Sequence, residues 1–154
     1  MMLSAVLAAA LSTAFVSPCD VATDADAAAL LHTAPIPVPA SEMGEETAPS
    51  CIWATKGRAS EVKISVWSPD ELPVVGMADA AAYYAKRKAD AEAATVVADT
   101  GDQAFASFSA PRKGLSSGEV VVLMGDRLVA FEFGSARASE AKAYVAAVMR
   151  RIQN

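Results

Sequence analysis

The stretch that decides the fold is EVVVLMGDRLVAFEF, residues 119–133. Gly125-Asp126 in its middle is a two-residue connection suited to a type II′ hairpin turn, with glycine where a positive φ is needed. Counting outward from that turn pairs Val122 with Val129 and Val120 with Phe131, on one face with Phe133. The opposite face carries Val121, Leu123, Leu128 and Ala130, and then Glu119 and Glu132. Both faces are apolar in the middle, so the hairpin is expected in a sheet that is covered on both sides, or partly by a partner.

The neighbouring segments supply the rest of an α+β chain. Downstream, Ser139 to Ile152 is amphipathic: Ala141, Tyr144, Val145, Val148, Met149 and Ile152 recur at helical spacing, and Arg150 and Arg151 suit the negative end of the dipole. Upstream, Gln103 to Ala110 reads as a strand after the turn at residues 99–102, and the spacing of Phe105 and Phe108 predicts a bulge. Met77 to Ala94, rich in alanine and lacking glycine and proline, reads as a helix with Met77, Ala80, Ala81, Tyr84 and Ala85 inward. Cys51 to Thr55 and Glu61 to Trp67 read as strands. In the second, Val62, Ile64 and Val66 share one face, while Lys63, Ser65 and Trp67 share the other.

Thr23 to His32 forms a short helix, capped by Thr23 with Asp26 three residues on, and with Ala27, Leu30 and Leu31 as its apolar face. Residues 33–50 hold Pro35, Pro37, Pro39 and Pro49 and read as an irregular acidic connection. The element order is therefore α-β-β-α-β-β-β-α: an antiparallel sheet packed with helices, in one domain over residues 18–154.

Ahead of it, residues 1–17 read as a secretory leader. Met1 to Val16 is an uncharged apolar run too short for a permanent bilayer span, with cleavage expected after Ala14 or Ser17. The expected location is thus exported, periplasmic or secreted. The two cysteines of the chain, Cys19 and Cys51, most simply form one disulfide in such a compartment. Membrane attachment would need an uncleaved leader or a lipid on Cys19. Val16-Ser17-Pro18-Cys19 resembles a lipoprotein box, except that Pro18 stands where a small residue is expected.

The net charge of −5 is unevenly spread. Residues 1–50 hold six acids and no base, whereas residues 51–154 hold 13 bases and 12 acids. No concentrated basic footprint exists for a nucleic acid. His32 is the only histidine, and it sits at a helix end, which argues against histidine-based hydrolysis and multi-histidine zinc sites. Gly101-Asp102 and Gly125-Asp126 are read as turns, Lys86-Arg87-Lys88 as a solvated helix face and Arg112-Lys113 as a loop tip. No cofactor motif accompanies them. Trp53 and Trp67 are the candidate ligand or partner contacts, with core packing favoured for Trp53.

Several short motifs in this order resemble a known group. Pro18-Cys19-Asp20 leads into an alanine-rich helix, Ser50-Cys51-Ile52-Trp53 opens a strand, and Thr100-Gly101-Asp102-Gln103-Ala104-Phe105 precedes another. A hairpin and a terminal helix then follow. The sequence resembles small bacterial extracytoplasmic domains, commonly lipoproteins of uncharacterised function, with a PsbP-like fold. That resemblance implies a non-enzymatic protein, an antiparallel sheet with packed helices, and a disulfide matching Cys19–Cys51.

The functional expectation is an exported, non-catalytic binding or accessory module of the cell envelope, contacting a small apolar ligand or a protein partner. The alternatives are a carboxylate-dependent hydrolase using Asp99 and Asp102, and an exported inhibitor or subunit of a larger complex that makes contact through residues 33–50.

Overall fold

The computed structural model describes residues 17–153 apart from residue 45. The expected leader and its cleavage after Ala14 lie outside the described residues; Ser17 lies within them.

The hairpin forms as its pattern requires. β6 (Ser116–Met124) and β7 (Arg127–Ala136) pair with Val122 opposite Val129 and Val120 opposite Phe131. Of the two central turn residues, only Gly125 has a positive φ, of 59°. The hairpin is the centre of a seven-stranded antiparallel sheet. On one side β7 pairs with β3 (Glu61–Trp67), which pairs with β2 (Ser50–Ala54) and then β1 (Ile36–Pro37). On the other, β6 pairs with β5 (Gln103–Phe108) and β5 with β4 (Thr95–Val96). The edge strands β1 and β4 are two residues each, which leaves little exposed ladder for uncontrolled pairing.

Helices cover both faces, as the two-sided apolar hairpin predicts. α1 (Pro18–Val21), α2 (Asp24–Leu31) and α4 (Ala138–Gln153) pack on the face carrying Val62, Ile64, Val120, Val122, Val129 and Phe131, all buried. α3 (Ala80–Asp90) lies on the other face, against Phe105, Val121, Leu123, Leu128 and Ala130. Burying side chains of this size is worth about 1.5–3 kcal/mol each before entropy is charged against it.

The connection between β3 and β4 carries α3 across the sheet from one meander to the other. Thr23 and Asp26 form a reciprocal capping box at the start of α2, and His32 ends that helix with φ of 55°. Cys19 of α1 is joined to Cys51 of β2 with Cα atoms 5.3 Å apart, fastening the N-terminal helices to the sheet.

Three local expectations change. Phe105 and Phe108 need no bulge, because β5 pairs with β6 in continuous register and the two rings face opposite, covered sides. The irregularity lies instead in the β6–β7 ladder, where Ser116 pairs with Ala136 and Gly118 with Phe133, with Ser135 at φ of 59°. The helix expected from Met77 to Ala94 is shorter: Asp79 caps it, Ala91 is extended and Thr95–Val96 has become a strand. Within it Ala80 and Tyr84 are buried, whereas Ala81 and Ala85 face solvent. Finally, residues 33–50 are not wholly irregular, since β1 and a 3-10 turn at Ala40–Glu42 form there.

Candidate functional site

The register places four residues of β3, β7, β6 and β5 side by side at each level of the sheet. On the α3 face the first two levels are Trp67, Leu128, Leu123 and Gln103, then Ser65, Ala130, Val121 and Phe105. The third level is Lys63, Glu132, Glu119 and Ser107. The face thus changes from mainly apolar to polar within one step along the strands. α3 covers the apolar levels, and past its C-terminal end the sheet is open.

What results is an open cleft of about 550 Å³ at the uncovered end. Four carboxylates line it, Glu61, Glu92, Glu119 and Glu132, with Lys63 and hydroxyls that include Ser107 and Ser109. Glu119 and Glu132 stand directly opposite each other, an arrangement that costs free energy unless cations intervene. Each has one. Arg87 of α3 donates to Glu119, and Lys63 lies 3.7 Å from Glu132 and 2.7 Å from Glu46. Among the described residues Glu61 and Glu92 form no ion pair.

Trp67 belongs to the support of this cleft. It is 6% exposed; its indole N–H donates to Thr47 Oγ1 at 3.4 Å and its ring meets Tyr83 edge-on. The Arg87 guanidinium lies 5.4 Å from the Trp67 ring centre and 5.7 Å from that of Tyr83. Held by two aromatic faces, the guanidinium is positioned for Glu119. Trp53 is also buried, on the other face, with its N–H donated to Asp24 Oδ1 at 2.8 Å. The structure therefore separates the two tryptophans by the thickness of the sheet.

Asp99 and Asp102 do line one hollow, of about 230 Å³, together with Tyr84 and Lys88. Both face solvent, and Asp102 is engaged in structure: its Oδ2 accepts the Gly125 N–H at 2.7 Å, and its own N–H donates to the Leu123 carbonyl at 2.9 Å. It ties the loop after β4 to the hairpin turn. His32 is exposed and its Nε2 lies 2.9 Å from Glu140 Oε2. Among the described residues no three His, Cys, Asp or Glu side chains are grouped to hold a metal ion.

A smaller groove of about 240 Å³ lies on the opposite face, between α2 and α4. At its edge the carboxylate of Asp26 receives Arg151 Nη1 and Nη2 at 2.5 and 2.9 Å, and the N–H and hydroxyl of Thr23, both at 2.8 Å. The Arg151 hydrogen bonds, aided by those from Thr23 and opposed by partial burial, hold its pKa well below the usual carboxylate range. Tyr144 lines the groove, and burial pushes its phenol pKa upward.

The sequence pattern did not mark Glu61, Lys63, Arg87 or Glu92 as site residues. Its only signal for the cleft was Glu119 and Glu132 at the ends of an otherwise apolar hairpin face. Among the described residues no helix is long and apolar enough to cross a membrane. Comparison of the chain with protein families, curated proteins and solved structures found no match.

Proposed function

We propose that the protein is an exported, non-catalytic binding module, and that it engages a protein partner presenting a basic segment to the cleft beside α3. The observation that carries this reading is the uncovered end of the sheet, concave and lined by four carboxylates. The apolar parts of both sheet faces are occupied by the protein's own helices, so the hairpin needs no partner to cover it. The Cys19–Cys51 bond supports an oxidising compartment, and the uncharged apolar run at residues 1–16 supports export. A PsbP-like relationship is part of the same proposal.

The disulfide also bears on anchoring: a thioether-linked lipid and a disulfide cannot share the Cys19 sulfur, so this reading takes the protein as unanchored through that residue.

The test is cell fractionation with in-cell photocrosslinking from position 109, at the cleft, and position 142, on the exposed face of α4. The expected result is a discrete adduct with a protein bearing a basic segment, from position 109 only. Combining Glu61→Lys with Glu92→Lys is expected to abolish it. Equal labelling from both positions, no adduct at all, or retention of the protein in the cytoplasm would refute the proposal.

A further inference from the structure

Tyr144 is 7% exposed, and its hydroxyl is buried without a hydrogen-bond partner among the described residues. Leaving such a group unsatisfied destabilises a fold. Its ring is held edge-on by Phe131 and Phe133 of the sheet, with ring centres 6.4 and 6.1 Å away. The Asp26 carboxylate is near enough for its charge to act on the phenol. That carboxylate already receives four donors, two from Arg151 and two from Thr23. Three of those donors reach Oδ2 and one reaches Oδ1, and none is the phenol, which among the described residues has no acceptor.

Tyr144 lines the groove between α2 and α4 with Ala29, Leu30, Ala143 and Ala147, and Asp26 and Glu140 complete its lining. The walls are short and almost wholly apolar, and the volume of about 240 Å³ suits a small molecule. α2 is only eight residues long and is pinned to α4 near its two ends, by Asp26–Arg151 and His32–Glu140. Between those pins lie Ala29 and Leu30 of α2 and Ala143, Tyr144 and Ala147 of α4.

We infer that this groove is a second binding site, on the face opposite the cleft, for a small apolar molecule carrying one hydrogen-bond-accepting oxygen, which takes the Tyr144 hydroxyl as its donor. The apolar body lies against Ala29, Ala143 and Ala147, and the oxygen meets the phenol as α2 yields slightly. This site is independent of the proposed protein partner, because the sheet separates it from Glu119 and Glu132.

The test is a titration of the ¹⁵N-labelled, oxidised protein with 2-heptanone, and with heptane as the probe lacking the oxygen. Saturable shifts of the Ala29, Ala143 and Ala147 amides are expected with 2-heptanone, at least fivefold weaker affinity in Tyr144→Phe, and no comparable loss for heptane in that variant. Ala147→Leu, which fills the groove and keeps the phenol, is expected to abolish binding of both probes. Without any probe, Tyr144→Phe should melt at the same temperature as the parent or higher, since it removes an unsatisfied group. Absence of saturable shifts, equal 2-heptanone affinity in Tyr144→Phe, or a melting temperature several degrees lower in that variant would overturn the inference. The last result would mean that the hydroxyl has a partner within the chain.

Discussion

Opening the Cys19–Cys51 bond should cost the fold more than any single surface contact. The bond spans 32 positions, and cross-linking two points that far apart removes loop-closure entropy from the unfolded chain worth about 3.7 kcal/mol at 25 °C. Little in the native state offsets this loss. Cys19 is exposed and Cys51 half-buried, so serines at both positions keep their hydroxyls within reach of water rather than stranding them in the core. The predicted effect of Cys19→Ser with Cys51→Ser is therefore a loss of about 3–4 kcal/mol, a large fraction of the 5–15 kcal/mol typical of a domain. Urea unfolding followed by tryptophan fluorescence suits the measurement, because both indoles are buried, one on each face. The variant's transition should move to lower urea with a steeper slope, since an uncrosslinked unfolded chain exposes more surface. Hydrogen exchange should show the greatest loss of protection in residues 17–32, whose attachment the bond secures. A difference below about 1 kcal/mol, with the slope unchanged, would refute the entropic reasoning.

Asp26→Asn should make the acid limb of stability shallower. The folded pKa lies below the ordinary 3.8, so the carboxylate stabilises the fold above that pH, and the benefit disappears as pH falls from about 4 through the folded value. Parent and variant should differ by a constant amount between pH 5 and 7 and converge below pH 4 in thermal melts. Gly118→Ala should destabilise by about 1–3 kcal/mol or more, because the added Cβ would lie 2.2 Å from the Ser107 carbonyl oxygen in the adjacent strand. Gly57→Ala, with nothing within 4 Å and a φ of 74°, should cost only the backbone penalty of about 1–2 kcal/mol; urea melts of the two variants would check the ranking. Arg87→Met should cost about 1–3 kcal/mol by leaving Glu119 opposed to Glu132, and adding Glu119→Gln should recover part of it in the same assay.

The fold was legible wherever one local pattern had one structural solution. Val62, Ile64 and Val66 alternate at a period of two and form β3, while the glycine at 125 set the register of β6 and β7. Ala141 through Met149 recur at helical spacing and are the buried side of α4. Phe105 and Phe108 misled because broken alternation has two causes, a bulge or a sheet covered on both sides. Which cause applies depends on where α3 travels, and that is a non-local fact. Ile36–Pro37 and Thr95–Val96 were illegible for a related reason: two-residue strands carry no period, and they exist only because β2 and β5 offer them a ladder. The cleft was half legible. Glu119 and Glu132 ended an apolar face, yet Lys63 and Arg87 come from distant segments, and only the β3–β7 pairing and the crossing of α3 bring them in.

The electrostatics of the cleft are the strongest reason to place recognition there. By sequence, the negative charge lies in residues 1–50, while the remainder carries a small positive excess. Folding redistributes it: Glu46 of the acidic segment reaches Lys63, beside four carboxylates that belong to the nominally neutral body. Among the described residues, five acids, Glu46, Glu61, Glu92, Glu119 and Glu132, then meet two bases, Lys63 and Arg87, an excess of three negative charges around one concavity. Stability alone gives no reason to oppose Glu119 and Glu132 across a ladder, where a neutral or oppositely charged pair would be better. A surface of this kind attracts a basic partner and accelerates its docking, chiefly through the association rate. Because the field acts through solvent near the open end of the sheet, raising the salt from 0.05 to 0.5 M should slow association steeply while changing dissociation far less. An association rate indifferent to salt would remove the electrostatic argument for this face.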